Sequence, residues 1–279
     1  MSRTKLILLG TGTPGLAPNT AQSSSVVIVD ETPYVVDCGS GMLQRMAQAR
    51  VNHPVALAAQ KLTKLFITHL HPDHTLGLPD FIIAEWVKLR RDTVHIYGPA
   101  GIAKMAHGVL DLYELGIAEH QFRGPAEFAP IDLDVTEYTD GIIYQDDLVE
   151  VEAFRVDHGQ LETYALKFVT PDKTIVFSAD TCPVPIMVEK AKDCDILVHE
   201  VFYEAGMETV PEMWRAYMHR THTSGRALGR IAKEAHPGLL VTNHHILYGG
   251  NQPEDLIAEI RSGGFEGEVV FGQDLAEFE

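Results

Sequence analysis

The stretch Thr68-His69-Leu70-His71-Pro72-Asp73-His74 constrains this chain more than any other. It closes an apolar run, Leu65-Phe66-Ile67, and opens into Thr75-Leu76-Gly77-Leu78-Pro79. Three imidazoles and a carboxylate within six residues are metal donors at a density that chance or core packing rarely produces. Read as the end of a strand, the pattern lets His69 and His71, two apart, grip one ion, while Asp73 and His74 turn toward a second. Two ions need further ligands, which predicts more donors downstream.

With 279 residues, 45% of them hydrophobic, the chain can bury a large core, and one domain over residues 1–279 is expected. The first apolar run, Leu6 to Leu9, is too short for a signal segment, and no run approaches the length of a membrane span. Cys38, Cys182 and Cys194 are odd in number and unpatterned, as suits reduced thiols, so a cytoplasmic location without a membrane partner is expected. Against 39 Asp and Glu stand 22 Lys and Arg, a formal charge of −17, with no long basic cluster. Phosphate backbones demand a basic footprint, so nucleic acid is an unlikely partner on this reading.

Along the chain, Lys5–Leu9 is expected as a strand entering the flexible loop Gly10-Thr11-Gly12-Thr13-Pro14-Gly15. Strands over 25–30 and 34–37 follow. Asp37-Cys38-Gly39 then leads into a short helix, with Asp37 either a turn former or, the favoured reading, a residue that orients a metal-binding His from behind. Helical spacing covers 79–91 and 100–116, with a strand at 94–97 between them. Strands are expected at 148–156, 163–170 and 174–179. The first delivers His158, the best-placed third ligand for the first ion. The last delivers Asp180, either a carboxylate bridging two ions or the cap of a helix from about Val184. A strand from 195 ends at Glu200 and gives way to a connection containing Phe202, Tyr203, Trp214 and Tyr217. His222-Thr223-Ser224-Gly225 begins an amphipathic helix, and the strand at 239–242 delivers Asn243-His244-His245. A helix at 254–261 and a strand at 268–271 close the chain. His95, His107 and His120 are isolated and carry no expected role.

H-x-H-x-D-H, a later lone His, an Asp at a strand tip and a final His occur in the order of the metallo-β-lactamase superfamily, which the sequence resembles over nearly its whole length. The resemblance implies an α/β fold, an αββα sandwich of two mixed β-sheets flanked by helices, with a binuclear site at one edge. It puts His69, His71 and His158 on one metal and Asp73, His74 and His244 on the other, with Asp180 bridging. His245 is the alternative to His244. Leu8-Leu9-Gly10-Thr11-Gly12, Val36-Asp37-Cys38-Gly39, Tyr97-Gly98-Pro99, Ser178-Ala179-Asp180-Thr181, Val198-His199-Glu200 and His222-Thr223-Ser224 are similar to the ribonuclease Z-like branch. In that branch a Glu-oriented His protonates the leaving group, which implies Glu200 and His222 here; His219 is the alternative donor.

Tolerance of the gap from His158 to Asp180 leaves no room for the long arm that tRNA-processing members carry there. With the acidic charge, this points to a small-molecule ester as substrate. The expected enzyme is a binuclear metal-dependent hydrolase of a small phosphodiester. It would use two zinc ions, manganese or iron also suiting the donors, to hold and deprotonate a water that Asp73 helps orient. An aryl sulfate, carboxylic ester or lactone is the alternative substrate, a non-catalytic metal-binding carrier the alternative of another class, and a homodimer is compatible with the resemblance.

Overall fold

In β1 (Thr4–Gly10), Leu6 and Leu8 point one way and Ile7 and Leu9 the other, and all four are buried. A strand with both faces covered reads as a continuous apolar run rather than as an alternation. The same holds for β2 (Ser24–Val29) and β3 (Thr32–Val36). The computed structural model describes residues 3–15, 17–123, 128–248 and 252–279.

After β3 come α1 (Met42–Ala49), β4 (Lys64–Phe66), α2 (Pro72–Thr75), α3 (Glu85–Val87), β5 (Val94–Gly98), α4 (Ile102–Leu112) and α5 (Glu114–Arg123). The strands β6 (Leu133–Glu137), β7 (Gly141–Gln145), β8 (Glu150–His158), β9 (Leu161–Val169) and β10 (Thr174–Phe177) follow. Then come α6 (Pro185–Lys190), β11 (Ile196–Phe202), α7 (Glu212–Thr221), α8 (Gly225–Ala235), β12 (Leu239–Ile246), α9 (Pro253–Ser262), β13 (Val269–Phe271) and β14 (Glu277–Phe278).

Two seven-stranded sheets result, ordered β14-β1-β2-β3-β4-β5-β6 and β13-β12-β11-β10-β9-β8-β7. Each is antiparallel in one part and parallel in the other, with β3-β4-β5-β6 and β10-β11-β12-β13 running parallel. Between the sheets lie Leu6, Leu8, Val27, Phe66, Leu166, Phe168, Ile175 and Val198. Outside the first, Ile7, Leu9 and Val26 pack on Met42, Met46, Ile102 and Ala106 of α1 and α4. Outside the second, Val176, Leu197 and Leu240 pack on α6, α8 and α9. The order of layers is helix, sheet, sheet, helix, as expected, and no helix among the described residues is long and apolar enough to cross a membrane.

Several boundaries differ from the sequence reading for local reasons. The 79–91 segment opens as a wide π-type turn (Asp80–Ala84) and breaks at Leu89, whose φ is +69°. The buried Arg90 guanidinium donates to Leu62 O, Phe81 O and Ile82 O, taking up carbonyls that the irregular turn leaves free. β11 runs through Glu200 to Phe202, so Glu200 sits within the strand. Helix α7 occupies the aromatic connection, where no helix was expected. His222 is the C-cap of α7, and α8 starts after Ser224, whose hydroxyl caps the Ala227 amide.

Candidate metal centre

The motif does not lie on a strand. β4 stops at Phe66, and His69 and His71 occupy the extended loop that follows. His71 is the N-cap of α2, where Pro72 fits the first helical position because it has no N–H to lose. Asp73 and His74 are therefore helical neighbours. α2 is clamped to the loop after β3 by Cys38 N donating to His74 O (2.8 Å) and Gly77 N donating to Cys38 O (2.7 Å). Gly39 permits this approach: a Cβ there would lie 2.3 Å from Asp73 O.

Around this segment the second sheet supplies His158 from the end of β8, Asp180 after β10, Glu200 within β11 and His244 within β12. His158 and Asp180 lie at or beyond the carboxyl ends of their strands, the usual edge for a site in an open α/β sheet, and Glu200 and His244 lie in the last half of theirs. Asp37, Ala179 and His244 have positive φ of 56°, 53° and 46°. Such values cost a non-glycine residue free energy and mark places where side-chain aim overrides backbone comfort. The β11–β12 register slips between Glu200 and Val201, pairing them with Asn243 and His245, so His244 is the bulged extra residue. It turns into the cluster. His245 turns away, its Nε2 2.8 Å from Thr242 Oγ1 and its ring stacked 3.7 Å from Phe271.

Two donor sets meet at Asp180: His69, His71 and His158 with Asp180, and Asp73, His74 and His244 with Asp180. His69 Nε2 and His158 Nε2 each approach His71 Nδ1 at 3.1 Å. One ring nitrogen has a single in-plane site and satisfies only one of them as a hydrogen bond. Four ligands of a tetrahedral zinc at about 2.0–2.1 Å lie roughly 3.3 Å apart, so the spacing suits three nitrogens around an ion. In the second set His244 Nε2 lies 3.0 Å from Asp73 Oδ2 and 3.3 Å from Asp180 Oδ2, and His74 Nε2 lies 3.4 Å from Asp180 Oδ1. Asp73 Oδ1, His74 Nε2, Asp180 Oδ1 and His244 Nδ1 are buried without a hydrogen-bond partner. Buried polar atoms left open among so many donors fit a site built for cations, His244 Nδ1 being the exception because it lies opposite the Nε2 that faces Asp73 and Asp180.

The opposite ring nitrogens are held. His74 Nδ1 donates to Asp37 Oδ2 at 2.8 Å, and His158 Nδ1 donates to Thr221 O at 2.7 Å. His69 Nδ1 donates at 3.0 Å to the Thr68 hydroxyl, which itself donates to Asp37. Each partner leaves Nε2 facing the cluster, as a metal-binding His requires. Burial, reinforced by neighbouring imidazoles, depresses His69 well below the usual range, and burial also lowers His71 and His158. These rings are neutral and their lone pairs are available. Burial opposes a charge on His74 too, but Asp180 and Asp37 outweigh it and raise that ring. Burial likewise opposes ionisation of Asp180, yet His244, His74 and His69 hold its carboxyl well below the usual range.

Beside the cluster, His222 Nδ1 lies 3.3 Å from Glu200 Oε2, and Glu200 Oε1 accepts from Thr223 N at 2.7 Å. Burial and the Asp180 charge raise Glu200 well above the carboxylate range, and burial lowers His222. His219 is half exposed and 3.5 Å from Glu204, away from the cluster. Asp180 does not cap α6, whose N-cap is Val184.

The donors open into a cleft of about 840 Å³ whose wall includes Thr11–Gly15, Tyr217, Tyr248 and Asp274. The sequence reading missed Asp274. Its carboxylate accepts from Thr11 N and Ala21 N and pairs with Arg45, pinning the glycine loop that forms the wall. Nothing local to Gln273-Asp274-Leu275 signals this, because every partner is more than 200 residues away.

A family profile described as a Beta-lactamase superfamily domain matches residues 32–245. A protein named Ribonuclease Z from Mycobacterium avium is 32% identical over 97% of this chain and 96% of its own length. Among solved structures, the metallo-beta-lactamase fold protein YhfI from Bacillus subtilis superposes with a TM-score of 0.74 at 20% identity, covering all of both chains. Human tRNase Z, short form, superposes with a TM-score of 0.73 at 22% identity over 99% of this chain and 98% of its own. The expectation of a small-molecule ester, with nucleic acid unlikely, is overturned by the first of these relatives. It matches end to end, so neither the acidic charge nor the short His158–Asp180 interval separates this chain from proteins named for action on RNA. Net charge is a sum over the whole surface, whereas a polyanion responds to the local field where it docks.

Proposed function

This chain belongs to the β-lactamase superfamily, in its ribonuclease Z-like branch, and is a metal-dependent hydrolase; from that premise we propose that it cleaves a phosphodiester bond of RNA at a binuclear centre. The observation that carries the reading is the sharing of Asp180 by two donor sets next to a Glu–His pair. On this reading His69, His71, His158 and Asp180 hold one ion and Asp73, His74, His244 and Asp180 the other, zinc being the first choice for nitrogen-rich, oxygen-completed donors. Bound divalent ions supply Lewis acidity toward the phosphoryl oxygens and lower the pKa of water from 15.7 to about 7.

The chain's own groups do the rest. Asp73 lines the cleft with Oδ1 unpartnered, so it can accept a hydrogen bond from the attacking water and orient it. The environments of Glu200 and His222 both disfavour charge, so the pair holds a proton in reserve. His222 Nε2–H donates to the departing oxygen while Nδ1 takes the proton from Glu200, so the ring carries no lasting charge. Such proton donation typically contributes about 10² to 10⁴-fold. The test is incubation of the zinc- or manganese-loaded protein with a tRNA transcript extended by single strands at both ends, alongside bis-p-nitrophenyl phosphate. Endonucleolytic cleavage at a defined position is expected. Turnover of the small diester with intact RNA would sink the RNA assignment while keeping the hydrolase.

A further inference from the structure

The acidic charge of this chain is unevenly distributed. From Met213 to Lys233 it carries Arg215, Arg220, Arg226, Arg230 and Lys233 and no Asp or Glu, although acids outnumber bases 39 to 22 overall. All five are exposed. Neither the Arg215 nor the Arg220 guanidinium has an ion-pair or hydrogen-bond partner among the described residues.

On the same helix, aromatic surface is left in water. α7 buries only Met218 and Thr221, while Trp214 is 51% and Tyr217 39% exposed, their rings edge to face at 5.9 Å. The other tryptophan, Trp86, is 3% exposed with its indole N–H bonded to Ala129 O. A tryptophan can contribute far more buried area than Trp214 does, so its position calls for an occupant. Tyr217 lines the cleft, and Arg220, three residues on, is its neighbour on the helix surface. The helix is tied to the centre at its end, where Thr221 O accepts from His158 and His222 is the cap. Trp214 lies about 12 Å along the axis from His222.

Resting on the RNA reading above, we infer that α7 is the docking helix for the unpaired strand flanking the scissile bond, with Trp214 and Tyr217 stacking on its bases and Arg220 on its phosphates. Aromatic faces with interleaved cations form the usual surface for single strands, because every base has a π-face and every linkage a charge. A small ester lacking bases would reach the metal centre through the cleft without reaching Trp214, which is not part of the cleft wall.

The test compares Trp214→Ala, Trp214→Phe and Arg220→Gln in the metal-loaded protein, on the extended tRNA transcript and on bis-p-nitrophenyl phosphate. Trp214→Ala is expected to raise KM for RNA about five- to a hundredfold, the size of one lost stack, with kcat changed far less. Its loss on RNA should exceed its loss on the small diester by the same factor, and Trp214→Phe should restore most of it. Arg220→Gln should reduce the salt slope of RNA binding by about one. Quenching of Trp214 fluorescence by a short oligouridylate gives a readout independent of turnover. Equal losses on both substrates, or RNA cleaved by Trp214→Ala as well as by the parent, would overturn the role of α7 alone. A parent protein that turns over the diester but neither binds nor cuts RNA would overturn the RNA reading and this inference with it.

Discussion

Asp146 and Asp180 both follow strands of the second sheet and both lead into turns, yet their carboxylates meet opposite fates. Asp146 closes its bonds within the protein: Oδ2 accepts from Tyr34 OH (2.7 Å) and Tyr144 OH (2.6 Å), Oδ1 from Leu148 N (2.9 Å) and Val149 N (2.8 Å). Asp180 is more deeply buried, faces His69, His74, His158 and His244, and has one oxygen that makes no hydrogen bond. A buried polar group that is satisfied locally holds the fold together, whereas one left open in a cluster of metal donors is positioned for something the chain does not supply.

The sharpest way to break this comparison is Asp180→Ala. Removing the shared carboxylate should cost more than the ~10–100-fold typical of an outer residue, with metal content falling below two ions per chain by elemental analysis. Full occupancy in that variant would place Asp180 in the same structural class as Asp146. Next in size is His222→Ala, expected to keep both ions while turnover falls about 10² to 10⁴-fold, most for poor leaving groups. Metal lost along with activity would make His222 a ligand instead. Asp37→Ala tests the layer between the two extremes. It frees His74 Nδ1 and should weaken metal binding about 10–100-fold in a chelator competition.

The smallest effect belongs to the closed carboxylate. Asp146→Asn should lower stability by about 1 kcal/mol, discounted for its half-buried position, with metal content and turnover untouched. Burial pushes the Asp146 carboxyl up, but the Tyr144 and Tyr34 hydroxyls and the Leu148 and Val149 amides outweigh it and set its pKa below the ordinary value. Its stabilisation is therefore present above the unfolded aspartate pKa and lost as pH falls through the lowered folded one. Urea titrations across that acid limb should show a shallower decline for Asp146→Asn than for the parent. Chelation should lower Tm equally in both, since the two sites share no partner.

Much of the site was legible because metal donors are a matter of residue type and spacing. His69, His71, Asp73 and His74 announce themselves within six residues, and the strands expected at 148–156 and 174–179 point to His158 and Asp180 as further candidates. What stayed hidden depends on distant partners. Asp146 and Asp180 look alike in one dimension, and Asp274 holds the cleft wall through residues at the other end of the chain. α7 was missed because its few buried positions leave almost no apolar periodicity, although its exposed aromatics and unpaired arginines give it a proposed use.

The chemistry of the candidate donor set, the double-faced strands and the layered α/β architecture were determined by the sequence itself, since burial on both faces and donor density survive without coordinates. The tertiary structure decided the rest. A one-residue bulge in β12 sends His244 rather than His245 into the cluster, because in a strand a shift of one position reverses the side chain. The clamp between α2 and the loop after β3 sets the motif on a loop and a helix rather than on a strand. And the fold seats Tyr217 of α7 in the cleft wall, three residues from the exposed Arg220, although the protein as a whole is acidic, because a local field depends on where charges lie and not on their sum.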